Sequence, residues 1–136
     1  MKRVFPNGTT TIVASINTPR GLAFADNDDN LFVASWGLRR IFFLNTTSGA
    51  LNVVAGMNGE FLDLLSVGVD GCGRLYAGYE DANGSKVAHV DRDTGMVSPI
   101  VSGPLRRPEG MKVTRNGTIL VAASMDFSIF RIDYSI

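Results

Sequence analysis

The sequence predicts an all-β fold, a partial β-propeller of about three four-stranded antiparallel blades. Three observations carry that expectation. Leu31, Leu75 and Ile119 head equivalent runs spaced 44 residues apart, within the span that four short strands and their turns occupy in a blade. The runs are 4–7 residues long, rich in Val, Ile, Phe and Tyr, and separated by Gly, Asn and Asp, which is strand-and-hairpin chemistry. Leu31-Phe32-Val33-Ala34 is apolar on both faces. A sheet covered on one side alternates, whereas blades stacked face to face bury both sides.

Each repeat follows one plan. The first runs Pro19-Arg20-Gly21-Leu22-Ala23-Phe24, a polar turn, then Leu31-Phe32-Val33-Ala34-Ser35-Trp36. The second runs Ser66-Val67-Gly68-Val69-Asp70, Gly71-Cys72-Gly73, then Leu75-Tyr76-Ala77-Gly78-Tyr79. The third runs Pro108-Glu109-Gly110-Met111-Lys112-Val113, Arg115-Asn116-Gly117, then Ile119-Leu120-Val121-Ala122-Ala123. Third and fourth strands follow in Arg40–Leu44 with Leu51–Ala55, and in Lys86–Val90 with Val97–Val101. The Asn-Gly, Ser-Gly and Thr-Gly pairs between them supply the positive-φ positions of tight hairpins. Residues 1–17 read as the last two strands of a blade, 18–59 and 60–104 as whole blades, and 105–136 as a blade that stops after its third strand.

Pro19-x-Gly21, Leu31-Phe32-Val33-Ala34-Ser35-Trp36-Gly37 and Arg40-Ile41 resemble the NHL repeat: Pro-x-Gly, a strand, Gly-Asn-Leu-Tyr-Val-Ala-Asp, then an Arg-Ile strand. Ser35 stands where the family usually has Asp, and Leu38 in its usual Asn region. The resemblance implies a ring commonly of six blades, so that this chain supplies about half. Half a ring bares two apolar blade faces, a feature rare in monomers. The expected partners are therefore a second copy, forming a homodimer, or missing blades from a longer chain. A gene fragment without autonomous function is the third possibility.

Alternate loops of a meander emerge at the same end. One face should then carry Arg20, Trp36, Arg39, Glu80, Asp81, Arg106, Arg107, Glu109, Met125, Asp126 and Phe127. The opposite face should carry hairpins around Asp26, Asp28, Asp29, Asp70, Arg74 and Arg115. Arginine and aromatic residues concentrate at binding hot spots. The ligand-binding face is accordingly assigned to Arg20, Trp36, Arg39, Arg106, Arg107 and Phe127, and the function to non-catalytic recognition of a protein or other ligand.

The rival is a metal-dependent lactonase or esterase. Pro108-Glu109-Gly110-Met111 is similar to the Pro-Asp-Gly-Met loop of gluconolactonase-like propellers, which implies Glu109 as a ligand to a divalent cation such as Ca²⁺. The equivalent position in the first repeat is Arg20, and in the second it falls near Asp63 or Leu64. One carboxylate with a cation at a matching position makes a poor cage, so no catalytic residue and no cofactor is assigned.

Other chemistry is thinner. His89 is the sole histidine and Cys72 the sole cysteine, which excludes a histidine cluster and an intrachain disulfide. Asp26–Asn30 begins like a calcium loop, but Leu31 and Gly37 occupy the positions that need Gly and an acid. Thirteen Lys plus Arg balance thirteen Asp plus Glu, so bulk charge draws the chain to neither nucleic acid nor anionic lipid. The RNA binding known for some members of the NHL family would have to rest on Arg39-Arg40 and Arg106-Arg107, diluted by acids on the same face. No run approaches the roughly 18 apolar residues of a membrane helix. Four Asn-x-Ser/Thr sites, at Asn7, Asn45, Asn83 and Asn116, leave an extracellular location open.

Overall fold

The 44-residue repeat folds into successive antiparallel sheets. The computed structural model describes residues 1–25 and 29–134. Among them, β1 (Lys2–Val4) and β2 (Thr10–Ile12) form a two-stranded sheet. The first complete blade is β3 (Pro19–Phe24), β4 (Asn30–Ser35), β5 (Arg40–Asn45) and β6 (Leu51–Ala55). The second is β7 (Asp63–Val69), β8 (Leu75–Asp81), β9 (Gly84–Val90) and β10 (Val97–Ser102). A three-stranded blade follows: β11 (Pro108–Val113), β12 (Thr118–Ala123) and β13 (Ser128–Asp133), with a 3-10 turn at Ser124–Asp126. Every strand pairs with its chain neighbour, as an up-and-down meander requires. Among the described residues no helix is long and apolar enough to cross a membrane.

The core lies between the sheets. Ala14 packs with Leu31, Val33 and Leu44, joining the two-stranded sheet to the first blade. Phe32, Ala34 and Ile41 meet Val67, Leu75, Ala77 and Val90 between the first and second blades. Tyr76 and Val87 meet Val113, Ile119 and Val121 between the second and third. Strands β4 and β8 are therefore buried on both faces, which is why their sequences do not alternate.

A β-bulge interrupts the start of each inner strand, between Pro19 and Gly21, Leu64 and Ser66, and Pro108 and Gly110. A bulge sets two residues against one and re-aims the chain where it occurs. The extra residues are Arg20, Leu65 and Glu109. The repeat position matched above to Asp63 or Leu64 is thus Leu65, which is buried. Sequence spacing misplaces it because the paired residues Phe24 and Leu31 stand seven positions apart, whereas Val69 and Leu75, and Val113 and Ile119, stand six apart.

The hairpin of the second blade is pinned by Asp70. Its buried carboxylate accepts from the backbone N–H of Cys72 (2.9 Å) and of Arg74 (3.0 Å), from Arg74 Nε (2.6 Å) and from Tyr76 Oη (3.1 Å). Cys72 is exposed in this turn. His89 lies half-buried on β9 with its ring against Tyr76, 5.7 Å between centroids. Asp26, Asn27 and Asp28 lie outside the described residues; Asp29 accepts at its carbonyl from Thr46 N (2.7 Å).

Candidate functional site

Because the three inner strands start at the same end of the molecule, their bulges bring side chains from three blades together. Arg20 Nη1 lies 3.5 Å from Glu109 Oε1, joining the first blade to the third. The Arg20 guanidinium also sits over the Trp36 ring, 5.3 Å from its centroid, a cation–π contact. Trp36 Nε1 donates to Asp63 Oδ1 at 2.8 Å, joining the first blade to the second.

Arg107 is the hub. Its guanidinium donates to Glu80 at 3.1 Å and lies 3.5 Å from Asp63 and 3.6 Å from Glu109. Three carboxylates from two blades therefore converge on one cation. Its backbone is left-handed, with φ 60°, a conformation that costs a non-glycine residue about 1 kcal/mol or more. Local hydrogen bonds hold it there: Arg107 N donates to Ser85 Oγ (3.1 Å), while its carbonyl accepts from Glu109 N (2.8 Å) and Ser124 N (3.1 Å).

Arg106 pairs with Asp126. Its backbone N–H and its Nε each donate to the Asp126 carboxylate at 2.7 Å. The hydrogen bond from the Arg106 side chain is the largest influence on the Asp126 carboxyl; burial opposes it, and with the lesser backbone hydrogen bond from Arg106 it holds the group below the ordinary carboxylate value. Lys86 does the same for Asp81 across 2.5 Å on the β8–β9 turn. Arg39 and Phe127 occupy equivalent turn positions, both left-handed at φ 56° and 52°. Phe127 is 97% exposed.

The structure thus gathers Arg20, Trp36, Arg107 and Glu109 into one connected cluster. Arg106 stands beside it in a separate pair, and Arg39 and Phe127 project from turn tips. Two participants went unrecognised as site residues in sequence. Asp63 lacks a carboxylate counterpart in the other repeats, and Ser85 reads as part of an ordinary Asn-Gly-Ser hairpin. Their one visible signal is position, each within two residues of a loop on the arginine-bearing face. Among the described residues no three His, Cys, Asp or Glu side chains are grouped to hold a metal ion. Glu109 itself lies against two guanidiniums.

No family model matches the chain, and no curated protein matches it in sequence. Solved structures do match. Virginiamycin B lyase from Staphylococcus aureus aligns with TM-score 0.67 at 10% identity, over 96% of this chain and 47% of that one. A chain of a nidogen/laminin complex aligns with TM-score 0.63 at 14% identity, over 85% and 47%. The PQQ-bound aldose sugar dehydrogenase of Streptomyces coelicolor aligns with TM-score 0.63 at 16% identity, over 89% and 41%. These are β-propellers, and the likeness establishes that fold class for this chain. At such identities it carries no activity across. The chain spans less than half the length of the structures it matches.

Proposed function

We propose that this chain is a non-catalytic, NHL-like recognition scaffold that engages a protein ligand through the face bearing Arg20, Trp36, Arg39, Arg106, Arg107 and Phe127. The observation that carries the reading is the cross-blade cluster. Trp36, Arg20 and Arg107 are held in place by Asp63, Glu80 and Glu109 before any ligand arrives. Side chains ordered in advance lose less entropy on binding, and Trp and Arg are the residues that most often dominate protein interfaces. Phe127 and the Arg106 head group extend the same face into solvent.

The cluster favours recognition over metal chemistry. A divalent cation at Glu109 would have to displace or tolerate two guanidiniums within 3.6 Å, and like charges at that distance repel strongly. A similar chain comes from a nidogen/laminin complex, so this fold serves in at least one protein assembly.

The test is selection of a displayed random-peptide library on the immobilised chain. Peptides enriched on wild type should lose tenfold or more in affinity for Trp36→Ala and Arg106→Ala. They should still bind Arg115→Ala on the opposite face. Peptides indifferent to both substitutions would refute the face. Turnover of sugar lactones that requires a divalent metal and disappears in Glu109→Gln would refute the non-catalytic reading.

A further inference from the structure

Asparagine followed by glycine is the pairing in which a backbone can rewrite itself. The glycine nitrogen attacks the neighbouring side-chain amide carbon, and with no Cβ on the glycine little obstructs the approach. A C–N bond forms to Cγ, ammonia leaves with the proton from that nitrogen, and a five-membered succinimide results. Water then opens the ring at one carbonyl or the other. Cleavage at Cγ gives aspartate; cleavage at the main-chain carbonyl gives isoaspartate, with the backbone routed through Cβ and Cγ. The net change is one water in and one ammonia out, with no oxidant or reductant consumed.

This chain holds four such pairs: Asn7-Gly8, Asn58-Gly59, Asn83-Gly84 and Asn116-Gly117. The reaction needs the glycine nitrogen free to turn onto Cγ, and in three pairs the turn is held. Gly8 N donates to the Phe5 carbonyl at 2.9 Å, while Asn7 Oδ1 accepts from Thr9 N (3.0 Å) and Thr9 Oγ1 (2.7 Å). Gly117 is buried, and its nitrogen donates to the Thr114 carbonyl at 3.0 Å. Gly84 stands in the β8–β9 ladder opposite Asp81, whose Oδ1 accepts from Asn83 N at 2.8 Å.

Gly59 differs. Its nitrogen donates to no other described residue, and nothing lies within 4 Å of where a Cβ on it would stand. Asn58 is exposed. The turn is closed instead by Asn58 N, which donates to Glu60 Oε1 at 2.9 Å and so leaves the Gly59 nitrogen out. Both flanks are fixed. Gly56 packs on the backbone of Arg39 and Arg40, the Phe61 ring meets the Tyr79 ring at 4.9 Å, and Leu62 N donates to the Glu80 carbonyl at 2.9 Å. Residues 57–60 therefore form an open span between anchored points of the β6–β7 connection.

We infer that Asn58 is a site of spontaneous modification: in the folded chain it converts to aspartate and isoaspartate, while Asn7, Asn83 and Asn116 are protected by their turns. The product adds a carboxylate to the loop and, in the iso form, lengthens its main chain by one methylene. That loop leans on Arg39 through Gly56 and leads into Asp63, which holds Trp36. The arginine-bearing face is thus bordered by a segment whose charge changes as the molecule ages. The chemistry stands whether or not that face binds a ligand.

Peptide mapping by mass spectrometry, on the full chain aged at mildly alkaline pH and physiological temperature, follows the reaction site by site. The peptide carrying Asn58 should gain the mass difference between an amide and an acid and split into two chromatographic peaks. The iso form should accept a methyl group from a protein isoaspartyl methyltransferase. Having to break one backbone hydrogen bond first slows a reaction about tenfold, so Asn58 should react roughly tenfold or more ahead of Asn7 and Asn116. Ageing in urea, where the turns are lost, should bring the four rates together. Asn58→Gln, at an exposed position, should remove the early product and leave the other three sites slow. Asn7, Asn83 or Asn116 reacting first, or four equal rates in the folded chain, overturns the inference. An order that persists unchanged in urea overturns it too, because local sequence rather than the fold would then set the rates.

Discussion

Strands β8 and β12 occupy the same place in the repeat, yet only one is enclosed. Leu75-Tyr76-Ala77-Gly78-Tyr79 is buried at every residue. Ile119-Leu120-Val121-Ala122-Ala123 alternates, with 119, 121 and 123 buried and 120 and 122 exposed. Both sequences are apolar on both faces. The burial pattern of β12 is that of a sheet with one wet side, while its composition is that of a strand meant for two dry ones. A strand's residues record the cover it was built for; only the packing records the cover it has.

The sharpest way to break this comparison is truncation at the matched pair. Tyr76→Ala should cost about 3–5 kcal/mol in denaturant unfolding, the loss seen for large buried side chains. Leu120→Ala should cost under about 1 kcal/mol, because its side chain already meets solvent. A comparable loss at Leu120 would mean that β12 is covered in solution.

A smaller effect comes from filling space. A Cβ at Gly78 would lie 2.3 Å from Ser66 Oγ and 2.8 Å from the Pro108 carbonyl oxygen of the next blade. It would displace the Ser66 Oγ–Pro108 hydrogen bond, 2.7 Å. Gly78→Ala should therefore lose about 1–3 kcal/mol. Ala122→Val, at the equivalent ladder position, should stay within about 0.5 kcal/mol. Melting temperatures of the two variants provide the check.

The hairpins sharpen the contrast least in energy but most in pH. In the second blade, burial alone would raise the Asp70 carboxyl. The hydrogen bonds from the Arg74 backbone and side chain, from Cys72 and from Tyr76 outweigh it and hold the group below its ordinary value. A depressed folded value means stability that is complete above about pH 4 and is lost as pH falls through the folded pKa. Asp70→Asn should cost about 1–2 kcal/mol near pH 7, with the gap to wild type closing in acid. The third blade uses Thr114, whose Oγ1 accepts from Thr118 N at 3.2 Å. Thr114→Ala should cost about 0.5 kcal/mol or less with no such closing. Urea unfolding at pH 7 and pH 3 compares the two; parallel pH profiles would show that Asp70 is not what pins its turn.

The blades were legible because their signals are local. Asn116-Gly117 and Thr94-Gly95 mark turns through the positive φ of the glycine, 88° and 78°. Leu31, Leu75 and Ile119 mark second strands at a constant spacing. The arginine-bearing face was legible in outline for the same reason, since loop order in a meander fixes which turns share an end. The cluster on it was not. Nothing in the spacing of Trp36 and Asp63 announces a 2.8 Å hydrogen bond, and nothing near Arg107 announces carboxylates 27 and 44 positions earlier in the chain.

Sequence alone determined that this chain is a meander of short strands with a repeating blade, because turn residues and apolar runs act on their immediate neighbours. Tertiary structure decided three further things. Bulges put Leu65, rather than Asp63 or Leu64, at the repeat position of Arg20 and Glu109. Convergence of three inner strands made Arg107 a hub. Stacking covered β8 on both sides and β12 on one. Each depends on where separate blades come to rest against one another, a long-range outcome of packing that no single repeat encodes.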